Sequence, residues 1–232
     1  MTDVHEIKLD ILRKLLFSKR LRYSKLKAEE IEGSHFTYHL DALLREDLIK
    51  KLDNGLYELT QAGKEYANRM RTRTSEMKIQ PKLTTVICCV RTRNSSKEYV
   101  IYTRKKNPFF GCQGFPTEKV WFGENIEDAA KRGLKEETNL EGEGNLIGIR
   151  HYKVLSKKNE LLEDKVMFIF KFENPTGKLI GCEEGKYEWV KEEEIAKKVV
   201  KPLEEFEEIY GLLEAEKSSM SFNESIHITD KF

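Results

Sequence analysis

The sequence predicts an α+β protein of two units joined by a linker, and three observations carry that prediction. The first third repeats apolar residues at helical spacing. The second part alternates them at strand spacing around one further helix. Between the two lies a charged, unpatterned stretch, residues 71–82, that ends beside Pro81. A chain of 232 residues with 39% hydrophobic side chains is long enough for two modest cores. Its net charge of +1 as a whole points to neither a nucleic acid nor a membrane surface. No apolar run reaches the length of a membrane span, and the opening MTDVHEIKLD has acids where a signal peptide has bases, so the chain is read as cytoplasmic with no membrane partner. Cys88, Cys89, Cys112 and Cys182 lack CxxC spacing and read as buried free thiols.

In the first unit, Val4, Ile7, Ile11, Leu12, Leu15 and Leu16 mark a helix behind Asp3 as its cap. Residues 24–31 make a short second helix. Ser34 caps a third, whose apolar stripe is Phe36, His39, Leu40, Leu43 and Leu44; on that stripe His39 reads as a satisfied core histidine rather than a ligand. Strands at 49–52 and 56–59 join through Asp53-Asn54-Gly55, a strong hairpin signal. Thr60 starts a fourth helix running through Tyr66 and Met70.

Three helices, a hairpin and a closing helix in that order, with the run FTYHLDALLREDLIKKLDNGLYELTQAGKEYA, resemble a winged helix-turn-helix of DNA-binding regulators. The resemblance implies double-stranded DNA as a partner, with His35, Thr37, Tyr38 and Arg45 of the third helix in the major groove and Lys50 and Lys51 beside the wing at phosphate. Such modules also serve as dimerisation units, which makes a homodimer the other implied use. Charge adds little, since residues 1–80 hold 16 Lys and Arg against 13 Asp and Glu.

In the second unit the spacing predicts strands at 83–90, 99–103, 147–154, 166–172 and 187–190, and helices at 192–200 and 202–216 with Pro202 near the first turn of the last. Residues 218–232 are polar and unpatterned, and are expected to be loose or to pack on a partner.

The stretch PTEKVWFGENIEDAAKRGLKEETNL, residues 116–140, combines a tight loop with a helix. Asn125 caps that helix, Glu127 and Asp128 suit its positive end, Ile126, Ala129, Ala130 and Leu134 form its buried side, and Asn139 ends it in the left-handed conformation. Glu136 and Glu137 sit at the C-terminal end, where the helix dipole opposes negative charge, so something other than local stability favours them. A hard divalent cation, held by carboxylates and substrate phosphates, is the chemistry that fits.

The whole stretch resembles the Nudix box, the loop-helix-loop of hydrolases that cleave nucleoside diphosphates linked to another moiety. Against the pattern Gx5Ex7REUxEExGU it matches at Glu124, Arg132, Leu134, Glu136, Glu137 and Leu140 without gaps. The resemblance implies an α/β/α sandwich with a mixed sheet over most of residues 83–215, Mg²⁺ (or Mn²⁺) as cofactor, and a nucleotide-derived small molecule as ligand. It also implies Glu136 and Glu137 as metal ligands and catalytic groups, and a Glu124–Arg132 pairing that holds the loop on the helix. Arg104 matches an arginine that contacts phosphate, and Trp121 and Phe122 flank the site and can stack a base, with Phe109 and Phe110 nearby.

Three departures decide how far that resemblance extends. Glu118 and Asn139 stand where the pattern has Gly, and Gly133 stands where it has the Glu of the REU triplet, a residue that family members use as a metal ligand and in activating water. Positions 133, 136 and 137 share the i, i+3, i+4 face of a helix, so Gly133 withdraws one carboxylate from a cluster. Domains are therefore drawn as a winged helix at 1–75, a linker at 76–82, a Nudix domain at 83–217 and a tail at 218–232. Two functions stay open ahead of a third, a non-catalytic interaction protein whose two domains only mediate assembly, against which the retained Glu136–Glu137 pair counts. The favoured one is a regulator that binds a nucleoside-diphosphate-linked ligand, with weakened or lost hydrolysis, and passes occupancy to DNA. The alternative is a working Mg²⁺-dependent pyrophosphohydrolase in which Glu118, Glu183 or Glu184 makes up the missing acid. Under the first reading Gly133→Glu should raise activity.

Overall fold

The computed structural model describes residues 5–74, 76–77, 79–215 and 220–231. The chain divides into two compact units, Met1–Ile79 and Gln80–Phe232.

The first unit runs α1 (Glu6–Leu16), β1 (Leu21–Arg22), α2 (Tyr23–Leu26), α3 (Gly33–Arg45), β2 (Ile49–Lys51), β3 (Leu56–Leu59) and α4 (Gln61–Asn68), followed by the short pair β4 (Met70–Arg71) and β5 (Glu76–Met77). Ile7, Ile11, Leu12 and Leu15 of α1 meet Phe36, Leu40 and Leu43 of α3 in one core, as helical spacing requires of one buried stripe on each helix. β2 and β3 are antiparallel with Ile49 opposite Leu59, and β1 adds to the other side of β3. Gly55, at φ +75°, makes the turn between them possible. Thr60 caps α4 by accepting from the Gly63 N–H at 2.9 Å. A methyl group at Gly63 would fall 1.7 Å from the Leu48 carbonyl oxygen, so only glycine lets α4 approach there.

Several local expectations need correction. The cap of α1 is His5; Asp3 and Val4 lie outside the described residues. α2 stops at Leu26 rather than 31, and α3 starts at Gly33 with Glu32, not Ser34, at its cap position. Met70 has left the helix and pairs with Met77. His39 is buried, but only partly satisfied among the described residues: its Nε2 faces the Nε2 of His35 at 3.1 Å, and its Nδ1 has no hydrogen-bond partner there.

The second unit is built on β6 (Lys82–Arg93), β7 (Ser96–Arg104), β8 (Gln113–Gly114), β9 (Thr117–Lys119), α5 (Ile126–Thr138), β10 (Gly144–Ser156), β11 (Leu161–Glu173), β12 (Gly185–Lys191), α6 (Ile195–Lys198), α7 (Phe206–Glu214) and β13 (Ser221–Thr229). The sheet is mixed, in the order β12-β7-β6-β11-β10-β13, with β8 on β7 and β9 on β6. β6–β11 and β10–β13 are parallel, and the other pairs are antiparallel. Strand periodicity sorts its two faces. Val86, Cys88, Met167 and Ile169 join the core with Phe206, Ile209 and Leu213 of α7, whereas Ile87, Cys89, Phe170 and Phe172 join the core with Ala130 and Leu134 of α5. The sheet therefore lies between two helices. Cys88, Cys89 and Cys112 are buried free thiols.

Two expectations fail in this unit. The last helix begins at Phe206, because Pro202 is taken up in a bridge to Gln113 and Leu203 N–H donates to the Gln113 carbonyl at 2.7 Å. The C-terminal segment is not loose: residues 221–229 form β13 in parallel register with β10, from Gly148 opposite Ser221 to Ser156 opposite Thr229. Its apolar residues Phe222, Ile226 and Ile228 alternate on an exposed face, so the strand is held by its backbone and not by core burial.

Candidate active site

β9 antiparallel to β6 places Glu118 opposite Thr85, directly under the side of α5 that faces the sheet. α5 is held in place by its ends. Asn139 ends it at φ 58°, with its N–H on the Lys135 carbonyl. At the other end Asn125 occupies the cap position but makes no side-chain cap bond; its Nδ2 donates to Asp128 Oδ2 at 2.9 Å instead.

Arg132 ties the loop to the helix. Its Nε donates to Glu124 Oε1 at 2.7 Å and its Nη2 to Glu124 Oε2 at 3.0 Å, a two-pronged pairing. The same Nη2 reaches the Lys119 carbonyl at 2.8 Å, Nη1 reaches Glu136 Oε2 at 3.0 Å and Glu118 Oε1 at 3.3 Å, and the guanidinium lies 3.9 Å from the centre of the Trp121 ring. Glu124 also accepts from the Trp121 N–H. These donors, Arg132 first, bring the Glu124 carboxyl down to about 2.

Helix geometry separates positions that share a nominal face. Residues 133 and 137 lie about 40° apart around the axis, whereas 136 lies about 100° from 137. Glu137 is accordingly buried, while Glu136 is exposed and turned to Arg132. Glu137 accepts from the Tyr187 hydroxyl and from Cys182 Sγ at 3.4 Å. Burial pushes the Glu137 carboxyl up, the two donors oppose that, and the nearby Glu184 and Glu118 carboxylates add to it.

Position 133 faces the sheet, and the space a side chain there would take is already filled. A Cβ on Gly133 would lie 2.6 Å from Glu118 Cβ and 2.7 Å from Ile87 Cδ1. The glycine in the helix and the glutamate in β9 fit each other.

Glu118 and Glu137 line a cleft of about 490 Å³, together with Glu184, Arg104, Trp121 and Phe109. Arg104 Nε donates to the Pro108 carbonyl at 2.6 Å. Phe122 is 88% exposed and Phe110 also points to solvent; neither lines the cleft, and the same holds for Glu136 and Glu183. The residues expected at DNA belong to the first unit. Tyr38, His35, Arg45, Lys50 and Lys51 are exposed there, but Thr37 is half-buried and bonded to the Tyr23 hydroxyl at 3.0 Å. Lys50 is paired with Glu58 at 3.0 Å, and Lys51 lies over the Tyr57 ring.

The sequence reading missed the floor of the cleft: Lys82, Tyr152, Glu163, Lys165 and Glu205. Lys82 pairs with Glu163 at 3.1 Å, Lys165 pairs with the same acid, and burial lowers the Lys165 amine. A signal existed. Glu163 and Lys165 fall on the same strand parity as the core residues Met167 and Ile169, and charges on a buried parity mark either a paired interior or a ligand site.

The family model described as the NUDIX domain matches residues 82–208, more than half of the chain. The chain belongs to the NUDIX family. A curated relative, an ADP-ribose pyrophosphatase of Methanocaldococcus jannaschii, is 29% identical over 85 residues, which is 37% of this chain and 50% of that protein. The chain thus spans about half the length of the curated relative it matches. Among solved structures, the MutT protein of Bacillus halodurans superposes with a TM-score of 0.51 at 19% identity, over 65% of this chain and 93% of that one. The NUDIX domain of Shewanella oneidensis NrtR complexed with ADP ribose gives a TM-score of 0.51 at 14% identity, over 67% and 97%. At these identities the two likenesses establish the NUDIX fold of the second unit.

Proposed function

We propose that this NUDIX chain is a divalent-cation-dependent hydrolase of a nucleoside diphosphate linked to a second moiety, with ADP-ribose as the representative substrate. The observation that carries the proposal is the exchange between Glu118 and Gly133. The carboxylate missing from the helix is supplied by the adjacent strand, in the space that a residue at 133 would otherwise take. The donor set suits the cation, since Glu137, Glu118 and Glu184 present hard oxygen ligands around one cleft, where burial first and then the nearby Glu184 and Glu118 carboxylates push the Glu137 carboxyl up. These three residues would hold Mg²⁺ or Mn²⁺, which when bound neutralises the diphosphate and polarises its phosphorus.

The other roles fall to groups of the chain. Arg104, Lys82 and Lys165 offer positive charge to the diphosphate oxygens, and Trp121, already stacked on Arg132, offers an aromatic face at the rim. Glu137, with its carboxyl pushed up by burial, is suited to take a proton from water. The water oxygen bonds to one phosphorus, the bridging P–O bond breaks with its electron pair on the departing phosphate, and two phosphate monoesters result. The relative from Methanocaldococcus jannaschii, named for ADP-ribose, and the ADP-ribose-complexed NrtR domain support that choice of substrate.

A second reading, a ligand-responsive regulator, is supported by the first unit. Its α3 exposes Tyr38 and Arg45 beside the β2–β3 hairpin with Lys50 and Lys51, an arrangement suited to a winged helix on DNA. The exposed Phe222, Ile226 and Ile228 of the edge strand β13 support a homodimer. Cleavage of ADP-ribose with Mg²⁺ or Mn²⁺ by the wild-type chain, and its loss in Glu118→Gln and in Glu137→Gln, tests the first reading. DNA affinity that falls steeply with salt and changes with ADP-ribose tests the second.

A further inference from the structure

The first unit contains a histidine cluster that the proposed hydrolase does not use, although its exposed member His35 is also one of the residues expected at DNA. His5, at the start of α1, stands against His35 and His39, one turn apart on α3. The His5 and His39 rings stack with centroids 4.0 Å apart, His35 and His39 lie at 4.9 Å, and His5 and His35 at 5.4 Å. One donor atom from each of the three lies within 4.8 Å of the other two. His39 is only 6% exposed, and its Nδ1 has no hydrogen-bond partner among the described residues.

We propose that His5, His35 and His39 form a binding site for one borderline transition-metal ion of the Zn²⁺ class, which ties the start of α1 to α3. Three imidazoles with no thiolate in the group select such an ion over Mg²⁺ or Ca²⁺, which require oxygen. A tetrahedral ion with bonds of ~2.0–2.1 Å holds its nitrogens ~3.3 Å apart. The two α3 histidines already stand at 3.1 Å, nitrogen to nitrogen. Only His5 has to close in. It is exposed, it precedes the helix, and its Nδ1 takes a long 3.3 Å bond from the Ile7 N–H, so little resists a turn of the ring. With His5 and His35 exposed, a fourth position stays open to water.

The test is Zn²⁺ titration of the full chain by calorimetry in excess Mg²⁺, which occupies the oxygen sites of the cleft. It compares wild type with His5→Asn, His35→Asn and the control His151→Asn, each verified as folded by circular dichroism. His5 and His35 are exposed, so their replacement leaves the core intact. The expected result is one equivalent of Zn²⁺ bound by wild type and by His151→Asn, with affinity at least roughly tenfold weaker in His5→Asn and in His35→Asn. Absence of Zn²⁺ binding by wild type, or equal affinity in the two cluster variants, overturns the proposal. Neither result depends on whether the cleft hydrolyses a nucleotide.

Discussion

The Glu118 side chain occupies the space beside Gly133, so that a Cβ added to the glycine would stand 2.6 Å from Glu118 Cβ. Two departures from the family's box, read separately as losses, are one arrangement in which a strand residue fills the space left by a helix residue. The consequences reach stability and chemistry alike.

Gly133→Glu should therefore damage the protein rather than raise its activity as the sequence alone suggests. Overpacking against Glu118 and Ile87 is expected to cost about 1–3 kcal/mol, read as a lower urea midpoint. The double variant Glu118→Gly/Gly133→Glu, which restores the family's arrangement, should recover part of that loss, because it removes Glu118, one of the two side chains that 133 strikes, and leaves the Ile87 contact. Equal damage in the single and double variants would refute the complementarity.

Glu137→Gln separates stability from chemistry. The Glu137 carboxyl is raised, chiefly by burial, so the native state binds its proton more readily than the unfolded chain. Its charge therefore costs stability above the raised value and costs nothing below the ordinary carboxylate range. At about pH 8 the variant should melt higher than wild type, and the gain should vanish by about pH 4. Thermal melts across pH, run beside activity, measure both effects.

Glu124 behaves in the opposite sense. Its carboxyl is held at about 2, so the pairing with Arg132 stabilises the protein above the ordinary carboxylate range. That stability is lost as pH falls from the ordinary range toward 2. Glu124→Gln should lower the thermal midpoint at neutral pH and flatten the acid limb of the midpoint-versus-pH curve. An acid limb as steep as that of wild type would show that another carboxylate sets it.

Ending the chain after residue 215 removes β13 and turns β10 into the sheet edge. It also removes the Ser221 carbonyl to which the buried Arg150 donates at 3.0 Å, and the Thr229 hydroxyl bonded to Glu204. The expected outcome is a loss of about 1–3 kcal/mol and a concentration-dependent tendency to aggregate, followed by denaturation and light scattering.

The sequence carried the large features because they rest on periodicity. Spacing predicted a strand at 166–172, and in the structure Phe170 and Phe172 on one face and Met167 and Ile169 on the other each meet their own helix layer. Asn139 predicted the end of α5 and adopts φ 58° there. Features that rest on long-range pairing were not legible. β9 is three residues long and takes its meaning from its register with β6, which alone brings Glu118 under Gly133. Glu136 and Glu137 look equivalent in the sequence and separate only when 100° of helix rotation buries one and exposes the other. β13 alternates Phe222, Ile226 and Ile228, but a period-2 pattern facing solvent is hard to tell from a polar tail.

The most direct test is turnover of ADP-ribose, with other nucleoside-diphosphate-linked compounds beside it, by wild type, Glu118→Gln and Glu137→Gln in Mg²⁺ or Mn²⁺. The proposed hydrolase predicts metal-dependent release of two phosphate monoesters, falling on the order of 10²-fold or more in each folded variant. Wild-type turnover that persists unchanged in Glu118→Gln, or no turnover of any compound by wild type, would contradict it.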